Sequence, residues 1–433
     1  RLAMLRLNRL QNKVEILVGD ITTGETKVIF TETDERWLEI EDGDWHFLKK
    51  QPRFIWTSER DGYNHIYLYD SNGELVRQIT KGNWVVRRVV AVEEEKERIY
   101  FTATKKSPLE NHLYRIGFDG TGLTRISQSP GWHSIEFSPT HETYIDHFSA
   151  ADTPTKVGLF TSEGERIDIL VENKLGLKDY EFSPPEFFSF ETTDGISLNA
   201  WMIKPADFDQ TQKYPVLMYV YGGPGSQTVR NSWGRGGLWY QLLAQKGYIV
   251  TSVDNRGTGG RGAEFKKMTY KNLGHWEVHD QIEAAEYFGS LSYIDKERIG
   301  IFGWSYGGYM ASFCLFKGND VFKMAISGAP VTHWRFYDTI YTERYMQTPQ
   351  LNPKGYEGSA PLNYTKNLQG KLLLIHGTAD DNVHFQNSVK LVEELVKHNK
   401  QFQTMYYPGE YHGVRQGKLH LYTMMTDFIL KNL

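Results

Sequence analysis

A single cysteine, Cys314, occurs in the 433 residues, so no intrachain disulfide can form. It lies in the apolar run Met310-Ala311-Ser312-Phe313-Cys314-Leu315-Phe316 and reads as a buried structural thiol. No stretch of 18 apolar residues is present, so no segment reads as a membrane-spanning helix. There is no H-E-x-x-H, no cysteine cluster and no Walker glycine loop, so the sequence calls for neither a metal nor a cofactor. A net charge of -4 makes no case for nucleic acid or an anionic membrane as partner. The chain opens at Arg1 with no initiator Met and no signal-like apolar core, and is expected to be the remainder of a longer polypeptide.

Aromatic residues are plentiful: 26 Tyr, 23 Phe and 11 Trp, 14% of the chain. Rings suit half-buried strands and amphipathic pockets, which points to a β-rich part and a ring-lined site. The length itself suggests two domains.

The first 170 or so residues repeat. A turn glycine recurs at Gly24, Gly73, Gly120 and Gly164, with an apolar residue seven before each (Leu17, Ile66, Leu113, Val157) and six after (Phe30, Ile79, Ile126, Leu170). Around these anchors apolar and polar residues alternate, as in His65-Ile66-Tyr67-Leu68-Tyr69, the pattern of strand, tight turn, strand. A period near 45 residues built of short strands predicts β-propeller blades, about four of them over 1–171, with an irregular antiparallel sandwich as the alternative. Propellers close into rings, so earlier blades are expected upstream. Glu93-Glu94-Glu95 reads as a solvated turn.

A linker is expected over 172–186, including Pro184-Pro185. From 187 to 433 strands alternate with helices, which predicts a mostly parallel α/β sheet. Strands are expected at 215–221, 248–253, 298–303 and 371–376, and helices at 238–245, 275–289, 387–397 and 419–433.

A lone G-x-S-x-G is weak. Here Gly303-Trp304-Ser305-Tyr306-Gly307 follows the apolar strand Ile299 to Phe302 and opens a helix, the strand–turn–helix elbow of an α/β-hydrolase nucleophile. A serine hydroxyl needs a base, and the base an orienting carboxylate, in the chain order Ser, Asp or Glu, His. After the strand at 371–376 comes Asp380, favoured over Asp381, which alternation turns away unless local geometry reverses it. His412 follows in a loop beside Gly413. His384 is too near Asp380 and reads as helix entry, His398 and His420 read as helix surface, and His376 as a support for the loop backbone. The oxyanion needs two donors. One is the Tyr306 N–H; the other comes from the Tyr221-Gly222-Gly223-Pro224-Gly225 loop, through its backbone or the Tyr221 phenol. Trp334, Tyr337 and Tyr341, at spacings of three and four, would share one face of a helix just beyond Gly328-Ala329-Pro330. At that edge of the sheet they read as a ring-lined pocket wall rather than simple core packing.

Three stretches resemble the prolyl oligopeptidase family of serine peptidases, in its dipeptidyl peptidase IV branch and bacterial type. They are Gly303-Trp304-Ser305-Tyr306-Gly307-Gly308-Tyr309-Met310, Tyr337 through Met346, and His376 through Gln386. The resemblance covers the hydrolase half closely and the propeller half loosely. It implies release of dipeptides from a free N-terminus after penultimate proline or alanine. By position it implies Ser305 as nucleophile, Asp380 as acid and His412 as base, with Tyr221 and the Tyr306 amide as the oxyanion hole. Tyr306, Val331, Trp334, Tyr337, Tyr341 and Val383 would line the proline pocket, and Asn382 would bond the carbonyl before the proline. A periplasmic or cell-surface location and a homodimer are further implications. The family's amine-clamping glutamate pair has no counterpart in this sequence and would lie in the earlier blades, so the 433 residues alone are expected to be weakly active or inactive toward dipeptide substrates. Tripeptidyl, acylaminoacyl and prolyl endopeptidase activities are the alternatives within the family. A non-catalytic binding protein is the alternative of another class.

Overall fold

Where successive residues of a strand are all apolar, both faces of its sheet need cover. The strand Arg53–Ser58 shows how the first part of the chain provides it. Phe54 and Trp56 pack with Val14, Ile16 and Phe30 of the preceding sheet, while Ile55 packs with Ile99 and Phe101 of the following one. The strand His65–Asp70 divides likewise, Tyr67 and Tyr69 to one side, Ile66 and Leu68 to the other.

The computed structural model describes residues 2–40, 44–173, 182–234 and 237–433. By contact the chain falls into two units, one of Arg1–Asp179 with Arg230–Gly234 and Gly259–Lys266, the other of the remainder. Among the described residues the first unit holds four antiparallel meander sheets, the first of three strands (Leu2–Leu7, Lys13–Gly19, Thr26–Thr33) and the others of four. These are propeller blades. Gly24, Gly73, Gly120 and Gly164, all at positive φ, sit in the last hairpin of each. The repeat therefore records one turn per blade.

The last blade breaks the apolar pattern. Phe30, Ile79 and Ile126 are buried after their turns, but Leu170 is 49% exposed on the strand Arg166–Glu172, which is exposed throughout. Glu93-Glu94-Glu95 is also more than a solvated turn. The Glu94 carboxylate accepts the N–H groups of Lys49 and Lys50 at 2.8 Å each, and Glu93 pairs with Lys96. The expected linker falls largely on residues outside those described.

The second unit is one eight-stranded sheet with helices along it. Its strands are β1 (Glu186–Glu191), β2 (Ser197–Ile203), β3 (Tyr214–Tyr219), β4 (Ile249–Asp254), β5 (Ile294–Trp304), β6 (Met324–Gly328), β7 (Lys371–Gly377) and β8 (Gln403–Tyr407). The spatial order is β1-β2-β4-β3-β5-β6-β7-β8, antiparallel through β1, β2 and β4 and parallel from β4 to β8. This is the α/β-hydrolase sheet. Strands β4 and β6 are buried along their whole length, as parallel strands covered on both faces must be. The helices that matter for the site are α1 (Gly237–Gln245), α2 (Trp276–Ser290), α3 (Tyr306–Lys317), α4 (Thr339–Met346), α5 (Gln386–Lys397) and α6 (Lys418–Asn432). Among the described residues no helix is long and apolar enough to cross a membrane.

Two sequence expectations change. The strand expected at 215–221 ends at Tyr219, so Tyr221 lies in the loop beyond it. Trp334, Tyr337 and Tyr341 do not share one helix. Trp334–Phe336 is a short 3-10 turn, Tyr337 is extended, and α4 begins only after Asp338, whose carboxylate caps it by accepting the Tyr341 N–H at 2.8 Å. An aspartate placed ahead of a helical run ends one element and starts the next.

Candidate active site

The residues singled out in the hydrolase half gather where parallel strands end, at the carboxyl edge of the sheet, the usual ligand edge of such folds. Tyr221 follows β3, Ser305 follows β5, Val331 follows β6, Asp380 and Val383 follow β7, and His412 follows β8.

Ser305 occupies a sharp elbow with φ 62° and ψ -120°, a region that costs a non-glycine residue on the order of 1–3 kcal/mol. The neighbouring glycines make it possible. A Cβ on Gly303 would come within 2.2 Å of the Gly307 carbonyl oxygen, and one on Gly307 within 2.2 Å of the Val220 oxygen. The Ser305 N–H donates to the Gly328 carbonyl of the next strand at 2.8 Å, tying the turn to β6. Helix α3 starts at Tyr306, so that residue's N–H is one of the helix's unpaired first donors.

Asp380 is buried, whereas Asp381 is exposed. Its Oδ1 accepts the Asn382 and Val383 N–H groups, each at 3.0 Å. Its Oδ2 accepts His412 Nδ1–H at 2.7 Å and His376 Nε2–H at 3.1 Å. Burial pushes the carboxyl's pKa up, but the bonds from His376 and His412 outweigh it and hold the group well below the usual carboxylate range. His376 is fully buried and also reaches the Val383 carbonyl at 2.8 Å and Ser388 at 2.7 Å, so it braces the acid's loop.

His412 is held from behind by a residue of the elbow itself, since Trp304 Nε1–H donates to the His412 carbonyl at 2.7 Å. The loop that carries it is joined to the loop after β7 by Ala379 N–H to Glu410 O at 3.0 Å. Nδ1 bonded to Asp380 leaves Nε2 as the basic nitrogen. Among the described hydrogen bonds none joins Ser305 to His412; such pairings often tighten only with substrate present.

The aromatic wall assembles despite its broken helix. Trp334 lies 6.0 Å from Tyr341, stacked at 21°, and 6.1 Å from Tyr337; Tyr337 meets Tyr341 edge-on at 5.3 Å. Tyr306 adds a fourth ring, 5.5 Å from Trp334 and 6.0 Å from Tyr221. Tyr337 O–H donates to Asn382 Oδ1 at 2.8 Å, and burial pushes this phenol up to about 12. Val331 and Val383 are both buried at the same edge.

Sequence reasoning passed over Glu277 on α2. It is fully buried, accepts the Tyr306 O–H at 2.8 Å, and its Oε2 has no hydrogen-bond partner. The available signal was a run of polar residues, Glu277, Asp280 and Gln281, at helical spacing on the face that also carries the buried Val278, Ala284 and Phe288. Trp304, quoted in the motif without a role, is likewise one that sequence reasoning did not assign.

Residues 238–433 match the model for the prolyl oligopeptidase family, and residues 1–155 match the dipeptidyl peptidase IV N-terminal region. Residues 238–433 thus form a prolyl oligopeptidase family domain. Within and around that family it is similar to the crystal structure of Porphyromonas gingivalis dipeptidyl peptidase 4. The two superpose with a TM-score of 0.96 at 41% identity, over 100% of this chain and 62% of that one. Human dipeptidyl peptidase 8 is 35% identical over 436 residues, 90% of this chain and 48% of its own length. The protein of Arthroderma otae named "Probable dipeptidyl-aminopeptidase B" is 35% identical over 429 residues, 94% of this chain and 46% of its own. The chain thus spans about half the length of these curated relatives.

Proposed function

We propose that this chain carries the catalytic unit of a serine exopeptidase that releases dipeptides from a free N-terminus after penultimate proline or alanine. The observation that carries the reading is the Asp380–His412 pair set beside the strained Ser305 elbow and a four-ring slot at one sheet edge. Ser305 Oγ attacks the carbonyl of the penultimate residue while His412 Nε2 takes its proton. Asp380 holds the imidazole tautomer and stabilises the imidazolium. The Tyr306 N–H and the Tyr221 phenol receive the oxyanion, as the family resemblance suggests. His412 returns the proton to the leaving amine, and water then releases the acyl group by the same steps in reverse.

Specificity follows from the slot. Tyr306, Trp334, Tyr337 and Tyr341 offer flat apolar faces to a pyrrolidine or a methyl group, whereas larger side chains would overfill them. Asn382, held by Tyr337, is the residue proposed to bond the carbonyl before the proline. The relatives named for dipeptidyl cleavage support the exopeptidase length. The test is hydrolysis of Gly-Pro and Ala-Ala-Pro anilides by the protein with the earlier blades included. Faster release from Gly-Pro is expected; faster release from the tripeptide would overturn the dipeptidyl assignment.

A further inference from the structure

We propose that Glu277 is a positioning residue for the peptidase site: by holding the Tyr306 phenol it sets the ring that walls the pocket and the N–H beside Ser305. This rests on the reading of Tyr306 given above. Tyr306 is the one residue asked to do two jobs, since its ring lines the slot and its amide faces the oxyanion. Both depend on where α3 begins and how its first side chain is turned. The phenol is the only polar end of that side chain, and its O–H donates to Glu277 Oε1 at 2.8 Å.

Helix α2 reaches the other side of the site as well. One turn beyond Glu277, the buried Gln281 donates through Nε2 to Asn255 Oδ1 at 3.0 Å, and Asn255 Nδ2 donates to the Gly222 carbonyl at 3.0 Å, next to Tyr221. Neighbouring side chains of one helix thus steady the two proposed oxyanion donors. The helix is itself pinned by Arg256, whose backbone N–H and guanidinium bond Asp280 at 2.7 and 2.9 Å and whose guanidinium also bonds Asp194 at 2.6 Å.

A fully buried carboxyl whose Oε2 lacks a well-formed hydrogen bond is a costly way to fill a core. Its retention is accounted for if the acceptor it offers Tyr306 is what the site needs. Burial pushes the group up to about 7; the Gly274 and Glu277 amides and the Tyr306 hydroxyl pull it down, and Asp280 raises it. The titratable groups facing it from the packed elements are Asp280 on α2, Tyr306, Tyr309, Cys314 and Lys317 on α3, and Tyr341 on α4. Below about pH 7 the side chain is then mostly the neutral acid, for which glutamine is a fair substitute.

The experiment compares wild type, Glu277→Leu, Glu277→Asp and Glu277→Gln in the full chain, with active sites counted by a fluorophosphonate. Two readouts are used, the rate of fluorophosphonate labelling and kcat and KM on Gly-Pro and Gly-Ala anilides at pH 6.5 (roughly where the acid is neutral). Glu277→Leu and Glu277→Asp lose the contact with Tyr306. They are expected to label about tenfold to a hundredfold more slowly, to raise KM for Gly-Pro, and to lower the Pro-to-Ala preference. Glu277→Gln, which keeps the acceptor, restores all three to within about threefold. Should the leucine variant not fold, the aspartate variant carries the comparison alone. Unchanged labelling rate and unchanged Pro-to-Ala preference per active site in Glu277→Asp would overturn the proposal, whatever the change in thermal stability. Slowed labelling in the variants, in a protein that includes the earlier blades and still ignores both dipeptides, would overturn the dipeptidyl reading and leave the role of Glu277 standing.

Discussion

Two buried carboxylates serve the proposed site, one through His412 and one through Tyr306, and their surroundings drive their acidities apart. Asp380, in the loop after β7, receives two backbone N–H groups and two imidazoles, and its acidity is strengthened. Glu277, on α2, receives the Tyr306 hydroxyl, keeps an orphan oxygen, and is pushed up to about 7. Burial opposes ionisation at both; the His376 and His412 imidazoles outweigh it at Asp380, whereas the Gly274 and Glu277 amides and the Tyr306 hydroxyl do not outweigh it at Glu277. Asp280, one turn from Glu277, adopts a third solution by pairing with the buried Arg256. Charge is thus favoured beside His412, the proposed base, and disfavoured at Glu277, behind the proposed pocket wall.

The largest effect expected from breaking this contrast is at Asp380. Asp380→Asn keeps the shape but favours the wrong His412 tautomer, and kcat should fall by about 10⁴-fold, measured against fluorophosphonate-counted sites. A loss below tenfold would mean that Asp380 does not orient the base.

Next is Arg256→Met, which strands Asp280 without its cation. The expected cost is about 3–5 kcal/mol of unfolding free energy, read by urea denaturation. A neutral result would show that water reaches Asp280 and that α2 is not held as described.

The smallest effect is the pH dependence of Glu277. Its folded pKa of about 7 lies above the ordinary 4.5, so the folded state holds a proton that the unfolded state releases between those values. Stability associated with this group is full below about pH 4.5 and falls as the pH rises to about 7, by on the order of 3 kcal/mol. Glu277→Gln removes that fall, so its stability advantage over wild type should grow across this window. Asp380 has the opposite sign: its contribution is present at neutral pH and is lost only as the pH drops below the unfolded carboxylate range. Thermal melts from about pH 2 to 8 check both, a window that spans roughly these titrations.

Much of this was legible in sequence because it rests on local grammar. A strand, two glycines around a serine and a helix can be read from a dozen letters, and the acid and base follow at the ends of later strands. The turn glycines marked the blades because a positive φ demands them. Glu277 was not legible in the same way. A carboxylate on an amphipathic helix reads as surface until the packing shows that its face is covered. The Trp334-Tyr337-Tyr341 spacing matched a helix that Asp338 interrupts, yet the rings still meet, since a turn, an extended residue and a new helix bring them to one wall. The Trp304 bond to His412 joins residues 108 apart in sequence, which no spacing rule could have paired.

The most direct test of the serine chemistry is mass-spectrometric mapping of the fluorophosphonate adduct on the full chain. One adduct is expected, on the peptide that contains Ser305, and it should vanish in Ser305→Ala. An adduct on another residue, or one that persists in Ser305→Ala, would contradict the assignment of the elbow as the nucleophile.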